Sequence, residues 1–223
     1  MTWILYYSPG ACSQAVHIIL HELGRPFEAR RVVVAEGEHL RPDYLAINPR
    51  GRVPTLVVNG RPIGEVSGLL TWLGQQGDGL FPPAGTVAAA SCGEWLAWLT
   101  SGVHTSFAMI WRGERFSHDP ALHPAIRARG FDWLDDQFAE IDGHLAGRDW
   151  VLDDYGVVDA NLLPFYRWGL KVGYDMRARF PAWTAHTERM LLRPAVIRTL
   201  QAEGLSFWVE RDPAFTPRAS RAA

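Results

Sequence analysis

The sequence predicts an α+β protein: a small βαβ-ββα module followed by an all-α helical bundle. Three observations predict it. Short apolar strand-like runs alternate with helix-like runs as far as Gln75. A stretch dominated by Gly and Pro, Gly77-Asp78-Gly79-Leu80-Phe81-Pro82-Pro83-Ala84-Gly85, then interrupts the pattern and reads as a linker. Beyond it, apolar residues recur at helical spacing. The expected organisation is a first domain over residues 1–79, a linker over 80–86, a helical domain over 87–205 and a tail over 206–223.

Trp3 to Tyr7 reads as a short buried strand. From Ser13 to Leu23 the residues Val16, Ile19, Leu20 and Leu23 share one helical face, and Gly24 follows as a stop signal. Phe27 to Val34 is Val-rich and reads as a second strand, with Pro54 to Val58 as a third. Asn59-Gly60 marks a tight hairpin into a fourth strand around Pro62 and Ile63. Ser67 to Gln75 reads as the next helix. After the linker, Val87 to about Phe116 reads as one long helix with Leu96, Leu99, Val103, Phe107 and Ile110 in a single stripe. Pro124 to Leu145 follows, with Phe131, Leu134 and Phe138 inward. Asp159 to Gly173 is strongly apolar. Pro181 to Leu192 and Pro194 to Glu203 each open at a Pro, a favoured first-turn residue, and Gly204 closes the last. The tail holds Pro213, Pro217 and late arginines, and is expected to be loosely ordered except where Phe207 and Trp208 dock.

Composition narrows the function class. The chain has 223 residues, 48% hydrophobic and 21% charged, which is ordinary for a globular protein with a sizeable core. Net charge is -2, from 22 basic and 24 acidic residues, so no basic field attracts nucleic acid. No apolar run approaches membrane-span length. Met1-Thr2-Trp3-Ile4-Leu5 carries no basic n-region, so no secretory signal is expected. With 2 cysteines, Cys12 and Cys92, a reducing cytoplasm without a structural disulfide is expected. The histidines and cysteines show no metal-ligand spacing, so no metal is expected. The 10 tryptophans suit core and interface positions.

Two segments carry chemistry. In Tyr6-Tyr7-Ser8-Pro9-Gly10-Ala11-Cys12-Ser13, the thiol falls at a helix N-terminus, where the helix dipole favours thiolate and a lowered pKa. In Asn48-Pro49-Arg50-Gly51-Arg52-Val53-Pro54-Thr55-Leu56, a Pro opens a strand, which suits a rigid turn or a cis peptide whose backbone is free to pair with something else. Together they suggest a thioredoxin-like module that handles a thiol peptide. Cys92, inside a helix without such a setting, is expected to be packing.

These segments, with Arg193-Pro194-Ala195-Val196 and Ala202-Glu203-Gly204-Leu205 near the end, resemble the cytosolic glutathione S-transferases, most closely the bacterial beta class. The resemblance covers nearly the whole chain. It implies glutathione as substrate and transfer of its thiol to an electrophilic hydrophobic compound, with detoxification as the setting. It also implies a second branch, thiol-disulfide exchange through Cys12, giving thioltransferase or peroxidase-like activity. Cys12 and His104 are the implied catalytic pair, the cationic imidazole stabilising a thiolate. Val53 and Pro54 would present backbone to the peptide as an added strand. Glu65 would take the glutamyl amine, and the amides at Val66 the glutamyl carboxylate. Phe107 and Trp111, with Phe207 or Trp208 from the tail, would line the acceptor site. Tyr7 and Ser13 are secondary thiol activators, Tyr7 reading better as core. Gly156-Val157-Val158-Asp159 resembles a capping box with Asp159 reaching back to the cap N–H. A homodimer is implied.

Several positions depart from the beta-class pattern. Ala97 stands where an Asn is common, Thr105 where a Lys follows the histidine, and Val66 where Ser or Gly follows the acid. The loop Ala35-Glu36-Gly37-Glu38 lacks the basic residue that anchors the glycine carboxylate, leaving Arg41 or Arg52 to substitute. Losing such a partner costs about 1.5–3 kcal/mol, roughly tenfold or more in affinity. The departures point to weakened glutathione binding, to a different thiol peptide, or to a non-catalytic binding or assembly protein on the same fold. An isomerase or dehalogenase using glutathione as cofactor would differ only in its acceptor pocket.

Overall fold

A computed structural model describes residues 2–215; the tail beyond Phe215, with Pro217, lies outside them. Strands β1 (Trp3–Tyr7), β2 (Glu28–Arg31), β3 (Thr55–Val58) and β4 (Arg61–Gly64) form one sheet in the order β2-β1-β3-β4. β1 runs parallel to β2 and antiparallel to β3, which closes the Asn59-Gly60 hairpin onto β4. The second strand is shorter than Phe27 to Val34, because the chain turns into short 3-10 segments at Val34–Glu36 and Glu38–Leu40.

The alternation of β1 divides it between two cores. Trp3, Leu5 and Tyr7 join Leu56 and the helices α1 (Ser13–Glu22) and α3 (Val66–Gly74) in the main core. Tyr6 points to the other face, where Ile4, Val32, Val53 and Val57 gather around Tyr44. Tyr44 belongs to α2 (Pro42–Leu45), a single turn that the sequence pattern does not reveal. Its hydroxyl donates to the Arg52 carbonyl at 2.6 Å, and Asn48 Nδ2 donates to the same oxygen at 2.9 Å. These bonds brace the segment leading into Pro54.

The long helix expected from Val87 to Phe116 ends early and is interrupted. α4 (Val87–Trp98) passes through a π-helical stretch, Leu99–Val103, into α5 (His104–Trp111). The predicted stripe from Leu96 to Ile110 is buried throughout. α6 (His123–Leu145) packs on α5, with Phe131, Leu134 and Phe138 inward. α7 (Val157–Lys171) is the central helix, followed by the short α8 (Met176–Arg179), α9 (Pro181–Leu191) and α10 (Pro194–Glu203). Asp159 accepts from the Gly156 amide at 2.8 Å as expected, and also from Val151 N at 2.9 Å, while His186 Nε2 stands 2.8 Å away.

α1 packs against both α7 and α10, joining the sheet to the helical part. At this seam the buried Glu203 carboxylate accepts from the Gly10 amide at 2.9 Å and faces His17 Nδ1 at 3.0 Å. Trp168 Nε1 donates to the Gly10 carbonyl at 2.8 Å. Gly10 has φ +68, and a Cβ there would lie 2.6 Å from Arg167 Nη1, so glycine suits both the backbone and the space. Cys92 is a buried packing residue.

Candidate functional site

Two adjoining cavities open around Cys12. The first, about 320 Å³, is bordered by Cys12, Val53, Pro54, Glu65, Val66 and His104. Sheet, cis turn, α3 and α5 therefore converge on it. The Val53–Pro54 peptide is cis. The Cys12 thiol points at the Val53 carbonyl oxygen, 3.7 Å away, rather than at His104. Glu65 precedes α3 with φ +68 and ψ 121, a strained region for a residue with a Cβ. Its carboxylate accepts from Arg50 Nη1 at 3.3 Å, both groups being exposed.

The second cavity, about 190 Å³, shares Cys12, Arg52, Val53 and His104 with the first. Trp111 and Trp168 form its aromatic wall, their ring centroids 5.2 Å apart. His104 meets the edge of Trp168 at 5.3 Å. Phe107 does not line this cavity: it is fully buried and stacks behind Trp111 at 5.0 Å. Phe207 and Trp208 do not reach it either. They pack on Tyr166, which sits two residues before Trp168 and so on an opposing face of α7. Phe207 is buried as expected, and Phe215 is buried too.

Tyr7 and Ser13 are not arranged as thiol activators. Tyr7 is buried, with its hydroxyl donating to the Ala202 carbonyl at 3.4 Å. Ser13 is buried, and its hydroxyl folds back onto the Ser8 carbonyl at 3.2 Å. Of the two arginines weighed as substitute anchors, Arg52 borders both cavities. Arg41 instead pairs with Glu38 at 3.2 Å.

Residues 9–76 match the family model described as glutathione S-transferase, N-terminal domain. A relative from Xanthomonas campestris pv. campestris, glutathione S-transferase GST-4.5, is 32% identical over 205 residues, covering 91% of this chain and 99% of its own. The chain belongs to the glutathione S-transferase family. Among solved structures, a sphingomonad glutathione S-transferase complexed with glutathione is 34% identical, with a TM-score of 0.79, covering 91% of this chain and 100% of that one. A bacterial beta-class glutathione S-transferase from Sphingomonas chungbukensis is 29% identical, with a TM-score of 0.80 and the same coverage.

Within this glutathione S-transferase fold the charge states at the site differ from the sequence reading. The helix start was expected to lower the Cys12 pKa. Burial instead pushes the thiol up to about 12, against the opposing pull of the Cys12 and Ser13 amides and of Arg52, with Glu65 adding to the rise. Desolvation of a thiolate outweighs the dipole here. His104 was expected to act as a cation. Burial, followed by the positive charges of Arg52 and Arg115, lowers its pKa to about 4, so the imidazole is neutral at pH 7 and can still donate one hydrogen bond. The sequence reading did not name Trp168, His39, Arg112 or Arg115, all of which border the second cavity. The apolar run of α7 was legible, but not which of its aromatic residues reaches the cavity.

Proposed function

We propose that this protein binds reduced glutathione in the first cavity and transfers its sulfur to a hydrophobic electrophile held in the second. The observation carrying this reading is that Cys12, the cis Val53–Pro54 turn and the start of α3 all border one cavity, closed by His104 of α5. The glutathione-bound sphingomonad relative supports it. The Val53 backbone pairs with the peptide in β-strand fashion, Glu65 takes the glutamyl amine, and the α3 amides at Val66 take the carboxylate. Arg52 supplies the cation that the loop at Ala35 lacks. Cys12, a protonated thiol, and neutral His104 stabilise the glutathione thiolate as hydrogen-bond donors. The sulfur bonds to the electrophilic carbon, the leaving group departs with its electron pair, and the thiol proton passes to solvent.

The beta-class likeness supports a homodimer and a cytoplasmic, detoxifying role. The division into residues 1–79, 80–86, 87–205 and 206–223 is the domain reading adopted. Thiol-disulfide exchange through Cys12 is the second activity, and it draws on the small thiolate fraction that the buried thiol allows.

Titration calorimetry tests the proposal. Glutathione should bind in the micromolar-to-millimolar range. Glu65→Ala should weaken binding about tenfold, the worth of one charge-assisted contact. Folded protein with no detectable glutathione binding would overturn the reading.

A further inference from the structure

The second cavity carries two arginines, Arg112 and Arg115, that glutathione binding through Arg52 does not use. Arg52, Arg112 and Arg115 border it together with His39, and among the described residues that line it there is no carboxylate. Arg112 and Arg115 border this cavity and not the first, so they are positioned for the acceptor rather than for glutathione. Arg112 reaches Glu114 only at 3.9 Å, with both side chains exposed. Among the described residues, neither Arg52 nor Arg115 has a carboxylate within salt-bridge distance. His39 Nδ1 is shut away from solvent without a hydrogen-bond partner among the described residues.

This concentration of cations does not follow from overall composition, since the chain carries a net charge of -2. Like charges crowded at one mouth repel unless a counter-charge enters. The strain is visible at Arg115, whose guanidinium is held below its usual value first by burial and then by Arg52 and Arg112. His39 is likewise lowered, by burial and then by Arg112, Arg115 and Arg52. A cleft lined by one sign of charge focuses its field and draws in the opposite ion. The walls themselves are aromatic, from Trp111 and Trp168. A dry cavity of about 150 Å³ takes one benzene, so the observed 190 Å³ suits one ring with a short substituent.

We propose that the acceptor is a single-ring aromatic electrophile carrying a carboxylate, its ring against the wall formed by Trp111 and Trp168 and its anion toward Arg112 and Arg115. The proposal rests on the glutathione-transfer reading and names its substrate class. Planar guanidinium forks match a carboxylate with paired N–H donors.

The test compares chlorodinitrobenzene with its ring-carboxylated analogue, chlorodinitrobenzoate, each corrected for its uncatalysed rate with glutathione. In both, the sulfur–carbon bond forms as chloride leaves. The corrected kcat/KM should favour the carboxylate about tenfold, the preference should shrink with added salt, and Arg112→Gln with Arg115→Gln should remove most of it. No preference, or one that survives the double substitution, overturns the proposal. Weaker glutathione binding in the double variant with acceptor preference unchanged also overturns it, since the cations would then serve glutathione. If glutathione binds but neither compound reacts, the transfer reading fails. The affinities of the unreactive dinitrobenzoate and dinitrobenzene then decide the anion site, equal values overturning it.

Discussion

At Cys12 two opposing effects meet. The amides opening α1 favour a thiolate, and burial disfavours it, leaving the thiol at about 12. At pH 7 only roughly one molecule in 100,000 would carry the thiolate, the reactive form. Alkylation of Cys12 by iodoacetamide, followed by mass spectrometry to separate it from the more deeply buried Cys92, should therefore rise about tenfold per pH unit from 7 to 10. A rate already at plateau near pH 7 would contradict the buried-thiol account. His104 behaves oppositely. Its folded pKa, lowered to about 4, lies below the ordinary 6.5, so the unfolded chain binds this proton more readily between those values. Stability from this residue is complete above pH 6.5 and is lost as the pH falls toward 4, a gap worth roughly 3 kcal/mol. His104→Asn should flatten the fall in urea midpoint between pH 7 and 4.5, and an unchanged slope would sink the assignment. Cys12 and Pro54 stood out in the sequence because each sits beside a turn or helix signal, whereas Val53, Glu65 and His104 were implied by the family resemblance. The charge states were not legible, because desolvation comes from residues distant in the chain.

Elements position these residues through a few buried polar contacts. The seam between α1 and α10 turns on Glu203, which binds the Gly10 amide and faces His17. Removing the Glu203 carboxylate leaves the Gly10 amide and His17 Nδ1 buried without that partner, at about 1–3 kcal/mol each. Glu203→Ala should therefore lower Tm by roughly 10 °C, and a change under two degrees would show that the pair is dispensable. Asp159 holds the start of α7 with two amides and faces His186. Asp159→Ala should shift the urea midpoint in the same direction, by about 2–4 kcal/mol of stability, and a midpoint within error of the parent would refute that role. The capping box was readable from Gly156 and Asp159 because it spans four residues. The Glu203 seam was not, because its partners lie 186 to 193 positions apart. α2 escaped notice because one turn has too few residues to set a period. The π-helical Leu99–Val103 escaped because its side chains keep the apolar spacing of an ordinary helix.

For the whole molecule, the sheet and bundle together make what neither makes alone. Strand residues border the first cavity, the loop residues Arg52 and Val53 border both, and α5 closes the first and, with α7, walls the second. The proposed homodimer should sediment at about twice the 25.0 kDa chain mass; a monomer at micromolar concentration would refute it. Motif likeness carried the family; the sequence by itself determined the order of the strands and main helices, a proline turn before β3 and the cysteine at the start of α1. These follow from backbone propensities and short-range spacing, which act within a few residues. Only the tertiary structure decided that Phe107 is core and Trp168 is wall, that Cys12 is held protonated and His104 neutral, and that three arginines share one cavity mouth. Those outcomes depend on which distant side chains exclude water and which charges share a low-dielectric space.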